Sequence, residues 1–416
     1  MKFLFLLFFC LPLWLYSQEL FEIKGIVNSK ADSLPLAYAH IGIPSLGIGT
    51  VSNIYGEFRL QIECEKSDSL QISYLGYKTI KRPVVELLKD TVFYLEEFDV
   101  AMEQINIIPQ ETLKDLFKKA VKAMPRNYAS QLHYAKGFYR ETQYSKSTNE
   151  YTRLLEVAFN MQDRGIKTST DHIRMDIEQL RKSDDFSDDT FLSKALAAFF
   201  PELFNFLYGS LKANPIRTYY SDRSSQKTNV LDLLLNDTSA HWVLLKTFSD
   251  DFGTYSELGF SVNSSMFKHV GTLVINQDDF ALVRLKLNSN LKFRSEVEGR
   301  YFSMEYKNFN GVYLPIYIID KHVSDIRKDG LGGSTNGISI NKLVFTDYYF
   351  KRSEFERIKR KFDLKNKGDV YNHRDVYDAE FWNNYNMLLE EPLNPKVIQD
   401  LEKGFGLNEQ FQKNSL

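Results

Sequence analysis

The sequence predicts an all-β sandwich followed by an α+β domain in which a curved antiparallel sheet covers helices. Three observations carry that prediction. Residues 21–97 fall into short apolar runs separated by Gly, Pro and Asn/Asp, the rhythm of a small sandwich. Residues 267–350 read as long strands with a period of two: Ala281, Val283, Leu285 and Leu287 share one face, and Arg284 and Lys286 the other. A sheet that long with one apolar face must be covered, and the apolar stretches 113–124 and 191–211 supply helices to do so.

With 416 residues there is room for two or three domains, each with its own core. Charged residues at 25% and hydrophobic ones at 43% are an ordinary globular balance, while 32 Phe and 24 Tyr lean toward strands. A formal net charge of -2 gives no basic excess for nucleic acid or for strong attraction to a membrane surface.

Lys2, the apolar run 3–16 and the small Ser17 read as a signal peptide over residues 1–17. The run is too short for a spanning helix, and no later stretch reaches ~18 uninterrupted apolar residues. The expectation is an exported protein, periplasmic or outer-membrane associated, with no transmembrane helix in the mature chain. A lipid anchor at Cys10 is disfavoured, because Phe8 and Phe9 are bulky where a lipobox wants small residues. Once the signal is removed, Cys64 is the only cysteine, so no intramolecular disulfide forms. Glu63 and Glu65 beside it are expected to raise its pKa and leave it inert.

Residues 18–97 form the first domain, with strands expected over 21–27, 37–43, 49–52, 56–62, 70–74, 77–82 and 91–95. The pattern is Gly25-x-Val27, Pro35-Leu36-x-x-Ala39-x-Ile41-x-Ile43, then Gly49-Thr50-Val51-Ser52-Asn53-x-x-Gly56-x-Phe58-x-Leu60. Leu70-x-Ile72-Ser73-Tyr74-Leu75-Gly76-Tyr77 and Val92-x-Tyr94-Leu95 complete it. This resembles the carboxypeptidase-regulatory-like domain, a transthyretin-like sandwich found at the front of Bacteroidetes surface proteins, TonB-dependent receptors among them. Two positions depart from the family pattern: Asn28 stands where an acid is common and Ser52 where Thr is common. Gly49, Gly56 and Gly76 suit turns needing positive φ, and Phe58 with Leu60 fills the core face. No catalytic apparatus is among these residues, so a structural or interaction module is the reading.

A linker over 98–110 precedes the α+β domain, 111–350. Leu113, Leu116, Phe117, Ala120, Val121 and Met124 follow helical spacing, with Pro125 closing the helix. Lys114, Lys118, Lys119 and Lys122 make its other side, read as a solvated face before a lipid-binding one. Strands follow at 135–144 and 151–161, then a polar segment, 163–190. Its Asp184, Asp185, Asp188 and Asp189 lack the spacing of a calcium loop and read as the solvated start of a helix. In 191–211, Phe191, Leu192, Leu196, Phe199, Phe200 and Phe204 belong to helices lying across the sheet and are the candidate lining of an apolar pocket. Strands are expected at 230–235 and 242–248, and about eight in all after Lys136. Asn310-Gly311 marks a hairpin. Residues 351–416 form a C-terminal tail, with a helix over 395–403 and Phe405, Leu407 and Phe411 docking it. The tail resembles the end of Bacteroidetes proteins that carry the same regulatory-like domain. The strand rhythm of 271–287 is similar to the half-barrel of lipoprotein-sorting carriers, which implies a curved sheet that wraps helices and shelters acyl chains.

No catalytic constellation stands out. The histidines are scattered, and neither a zinc motif, a Gly-x-Ser-x-Gly elbow nor a nucleotide-binding glycine loop occurs. His373, Asp375, Asp378 and Glu380 are the best metal-like cluster, but helical spacing does not assemble all four. Glu141 and Glu156 lie on neighbouring strands, where a pair of carboxylates would be raw material for a hydrolase, and a salt-bridged face is the simpler reading. No catalytic residue, cofactor or metal is therefore assigned. The expected function is non-enzymatic binding or scaffolding at the cell envelope, accessory to outer-membrane transport, with an envelope protein as partner. The alternatives are a periplasmic carrier of a lipid or other apolar ligand, an outer-membrane β-barrel component, and a cryptic hydrolase.

Overall fold

Strand pairing follows the period-two stretches of the sequence closely. The computed structural model describes residues 19–98, 108–187, 206–221, 229–291, 299–326, 335–351, 370–385 and 395–414. In the first part, β1 (Glu19–Ser29) lies between β4 (Glu57–Cys64), antiparallel, and β7 (Val92–Leu95), parallel. The facing sheet is β3 (Ile48–Val51), β2 (His40–Ile43), β5 (Ser69–Ser73) and β6 (Ile80–Pro83), and a short helix, α1 (Val84–Leu87), follows it.

Alternation on β4 sends Phe58, Leu60, Ile62 and Cys64 into the gap, against Ile41, Ile72 and Phe93 from other strands. Each such side chain contributes roughly 1.5–3 kcal/mol on burial. The turn before β4 is held by Asn53, whose Oδ1 accepts from the backbone N–H of Tyr55 and of Glu57, both at 2.9 Å. Gly56 has φ 76°, and a Cβ there would sit 2.4 Å from the Val27 carbonyl. Gly49 lies in β3 instead of a turn; what it needs is space, since a Cβ would come within 2.8 Å of the Ile41 carbonyl.

Helix α2 (Gln110–Asn127) opens the second part. Its buried stripe is Leu113, Phe117, Ala120, Val121 and Met124, and Pro125 lies inside its last turn, so the helix runs on to Asn127, past the expected stop. Then come β8 (His133–Ser145), β9 (Glu150–Asp163) and β10 (Arg174–Lys182). The short helices α3 (Phe206–Lys212), α4 (Pro215–Ser221) and α5 (Val230–Asn236) follow. A meander completes this part: β11 (His241–Asp250), β12 (Gly253–Asn263), β13 (Phe267–Asn276), β14 (Leu282–Leu291), β15 (Gly299–Phe309), β16 (Val312–Ile326) and β17 (Thr335–Tyr349).

All ten strands join one antiparallel half-barrel in the order β11 to β17, then β8, β9, β10. β17 is therefore an interior strand, paired with β16 on one side and β8 on the other. Helices α2 to α5 fill the concave face, where Leu207, Leu211, Ile216, Leu231 and Leu234 meet Tyr139, Leu258, Leu285 and Met304 in one core.

Three expectations are corrected. Residues 230–235 form a helix, because Asn229 caps the run by accepting from the Leu231 N–H at 2.8 Å and Val230, Leu231 and Leu234 share its buried side. The polar segment 163–190 contains β10, whose alternation a bulge between Ile177 and Gln179 interrupts. The strands after α2 number ten among the described residues, against about eight expected.

The sandwich packs on the outer face of the half-barrel. Ile48 of β3 bridges to Asp347 of β17, Tyr38 lies 4.7 Å ring to ring from Tyr317, and Lys307 Nζ reaches His40 Nδ1 at 3.0 Å and Ser73 Oγ at 2.7 Å. The tail covers the same face beyond it, through α6 (Ala379–Asn384), α7 (Pro395–Leu401) and α8 (Leu407–Lys413). Val397, Leu401, Leu407 and Phe411 close over Leu154. Phe405, expected to dock, is 54% exposed. Among the described residues no helix is long and apolar enough to cross a membrane.

Candidate ligand-binding groove

The residues expected to line an apolar pocket, Phe191, Leu192, Leu196, Phe199, Phe200 and Phe204, lie outside the described residues. Directly after them, Leu207, Tyr208 and Leu211 of α3 are packed into the concave core. The space between α3, α4 and the sheet narrows to a cavity of about 30 Å³, room for one water. His133, Asp163, Asn214, Arg217 and Tyr306 line it. Asn214 donates to the Tyr306 hydroxyl at 2.6 Å, and Arg217 pairs with Asp163. Burial pushes the Asp163 carboxyl up, but Arg217 and His133 outweigh it and hold it below its ordinary value.

A larger opening lies between α2 and strands β11 to β13, a groove of about 840 Å³. Its size is that of a small-molecule site. Leu113 and Leu116 of α2, Leu244 of β11 and Phe280 give it an apolar lining, with Thr254, Ser256 and Gln277 on the strand side. Lys118, Lys119 and Lys122 stand along the helix side with Asp115. Helical spacing places the lysines there, because residues three and four apart share a face. Lys118 donates to Asp115 at 2.8 Å.

Each wall is fixed by side chains distant in sequence. Gln110, at the start of α2, accepts from the Trp242 N–H at 2.7 Å and donates to the Trp242 carbonyl, so it occupies the open edge of β11 as another strand would. At the other wall the Asp279 carbonyl accepts from Arg126 and from Asn127, both at 2.9 Å, and the Asp279 carboxylate accepts from Tyr313 at 2.9 Å. The residue after this clamp, Phe280, has φ 62°, a strained backbone for a bulky side chain. Its ring lies 5.6 Å from Lys119 Nζ, in cation–π range. The basic face of α2 was legible in the sequence; Phe280, Gln277 and Ser256 were not, since only the fold carries them to α2.

The other candidate clusters resolve into structure. Glu141 is paired with Leu155, and Glu156 with Arg140, so the two carboxylates point to opposite faces of the sheet and form no pair. Glu156 sits between Arg140, whose Nε donates at 2.6 Å, and Arg181. Glu141 accepts from Tyr139 at 2.8 Å, Gln143 at 2.9 Å and Arg153. Asp378 caps α6 by accepting from the Phe381 N–H at 3.0 Å, and the His373 carbonyl accepts from Lys182 at 2.8 Å. Among the described residues no group of three His, Cys, Asp or Glu could hold a metal.

Asp184 pairs with Lys413 of α8 at 3.1 Å, and Asp185 accepts from the Ser187 N–H at 2.9 Å. Asp188 and Asp189 lie outside the described residues. Cys64 is buried, and burial, then Asp68, pushes its thiol up to about 11; the expected Glu63 and Glu65 are not the cause.

These features define a class: a β-sandwich module fixed to a helix-filled antiparallel half-barrel that presents an amphipathic groove. Residues 23–107 match the family model of the CarboxypepD_reg-like domain. Among solved structures, the chain is similar to a putative outer membrane lipoprotein-sorting protein domain from Vibrio parahaemolyticus, at 8% identity and a TM-score of 0.25, over 57% of this chain and 92% of that one. It is also similar to a LolA superfamily protein from Nitrosomonas europaea, at 12% identity and a TM-score of 0.20, over 59% of this chain and 94% of that one. Comparison with curated proteins finds no match.

Proposed function

We propose that this chain is an exported, non-enzymatic binding protein of the cell envelope whose half-barrel holds an apolar ligand with an acidic end. The observation that carries the reading is the groove under α2, apolar along Leu113, Leu116, Leu244 and Phe280 and flanked by Lys118, Lys119 and Lys122. An acyl chain lies along the first set while its carboxylate or phosphate meets the second. The apolar run 3–16 behind Lys2 supports export. The division into a sandwich over 18–97, a linker over 98–110, a half-barrel domain over 111–350 and a tail over 351–416 belongs to the same proposal.

Native mass spectrometry of protein exported to a periplasm and purified gently tests it. A co-purified amphiphile is expected, and Leu116→Glu, which places a second carboxylate in the groove beside Asp115, is expected to abolish it. Displacement of a fluorescent fatty acid should show the same loss, at least tenfold in Kd. Bare chain mass at every activation energy, with no fatty-acid binding, sinks the carrier reading.

A second reading, docking of an envelope protein, rests on a separate surface. Val243, Leu245 and Val270 are exposed together on strands β11 and β13, on the face opposite the groove, and form an apolar surface for a partner.

A further inference from the structure

At the end of the half-barrel remote from the groove, five adjacent strands place polar side chains in one row across the concave face. Arg300 pairs with His322, His322 with Ser339, Ser339 with Gln143, and Gln143 with Arg153. Residues directly opposite on antiparallel strands share a face, so the row is continuous from β15 to β9. One step deeper lies a second row, Asp320, Asn341 and Glu141, on β16, β17 and β8. Ser210 of α3 donates to Asp320 Oδ2 at 3.0 Å, which places both rows on the helix side of the sheet.

The two rows divide the chemistry between them. Asp320 is buried and saturated: Arg300 donates twice, from Nε at 2.7 Å and Nη2 at 2.6 Å, His322 Nε2 lies at 3.2 Å, and Ser210 adds a fourth contact. Burial pushes its carboxyl up, but His322 and Arg300 outweigh it and hold it well below the usual carboxylate range. Glu141 is saturated in the same way by Tyr139, Gln143 and Arg153. The acceptors are thus used inward.

Outward, Arg300 is 35% exposed and His322 41%. These bonds use Arg300 Nε and Nη2 and His322 Nε2, which leaves Arg300 Nη1 and His322 Nδ1 uncommitted among the described residues. A guanidinium and an imidazole held side by side by one buried carboxylate are oriented before any ligand arrives, which lowers the ordering cost of binding.

We propose that Arg300 and His322 form a binding site for a phosphate-bearing group, with Asp320 as the residue that positions both. The site is independent of the groove: Gln277 follows the end of β13, whereas Arg300 lies at the start of β15, at opposite ends of strands that run the same way. A tetrahedral oxyanion accepts from Arg300 Nη1 and meets the His322 ring at Nδ1.

The test uses the full chain with labelled histidine, the His322 signal being assigned by its loss in His322→Asn. Inorganic phosphate is titrated in one arm, and phosphatidylglycerol vesicles in the other. Saturable movement of the His322 signal by phosphate identifies a small phosphorylated ligand, and movement by vesicles alone identifies a lipid head group; either supports the site. Arg300→Gln is expected to weaken binding at least tenfold. Because that change strips Asp320 of its main partner, the double variant Arg300→Gln/Asp320→Asn, which removes both charges together, is measured beside it and is expected to lose binding equally. No movement of His322 in either arm, or unchanged affinity in a folded variant, overturns the proposal.

Discussion

Glu156 shows how much a single side chain can hold in this protein. It is buried between Arg140 and Arg181, and the Arg181 guanidinium lies 4.6 Å from the Trp382 ring, so one carboxylate links strands β8, β9 and β10 to the tail. Burial pushes its carboxyl up, but the two guanidiniums outweigh that and hold it at about 2. Glu156→Gln leaves two buried cations under-compensated, and a loss of about 3–5 kcal/mol is expected for breaking such a set from one side. Urea denaturation at neutral pH measures it. The sign of the pH effect follows from the lowered value: the contribution is present above the unfolded glutamate value of about 4.3 and is lost as pH falls through about 2. The stability difference between the wild type and Glu156→Gln should therefore be flat from pH 7 to 5 and shrink toward pH 2; a constant difference down to pH 2 would contradict the ion-pair account.

At the scale of elements, α5 depends on its cap. Asn229 accepts from the Leu231 N–H, and its amide donates to the Pro215 carbonyl at 2.9 Å and to Thr218 Oγ1 at 2.7 Å, joining α5 to α4. Asn229→Ala should cost about 1–2 kcal/mol, at the upper end for a cap because three bonds go at once. A thermal melt measures it, and Asn229→Asp, which keeps the capping acceptor but not the amide, should recover about half. The same element shows why the sequence was legible only in part. Where alternation is unbroken, as in 281–287, both strand and buried face could be read. Val230-Leu231-Asp232-Leu233-Leu234-Leu235 is as apolar as a buried strand, and its cap is one polar residue outside the run. β10 was hidden by one bulged residue, which shifts the apolar positions out of period. The register that sends Glu141 and Glu156 to opposite faces needs a pairing partner, and so does the convergence of Phe280 on Lys119. A periodic pattern names a face but not what lies opposite it.

At the scale of the whole molecule, the two parts meet at a buried acid. Asp347 pairs with Ile48 across the junction, and burial is the main cause that pushes its carboxyl up to about 6, against smaller opposing contributions from Thr346 and Lys136. Its folded value lies above the roughly 3.9 of an unfolded aspartate. The linkage therefore runs opposite to that of Glu156: its contribution is full below about pH 3.9 and is lost as pH rises through about 6. Asp347→Asn is expected to gain about 3 kcal/mol at pH 8 and little at pH 4. Melting curves at the two pH values decide it, and an equal effect at both would show that charge at the junction is not what the substitution relieves.

The interior position of β17 sets a timetable for synthesis. The Tyr139 hydroxyl of β8 lies 2.9 Å from Asn341 Oδ1 of β17, across 202 residues of chain. At about 5–20 residues per second, β8 waits roughly 10–40 s on the ribosome for the neighbour that completes its pairing. Through that interval the β8 edge that pairs with β17 has no neighbour to pair with, and the sandwich lacks the strand it leans on. A ribosome stalled before residue 335 should hold a chain whose β8 edge is open to protease or chaperone, and one released after 349 should not.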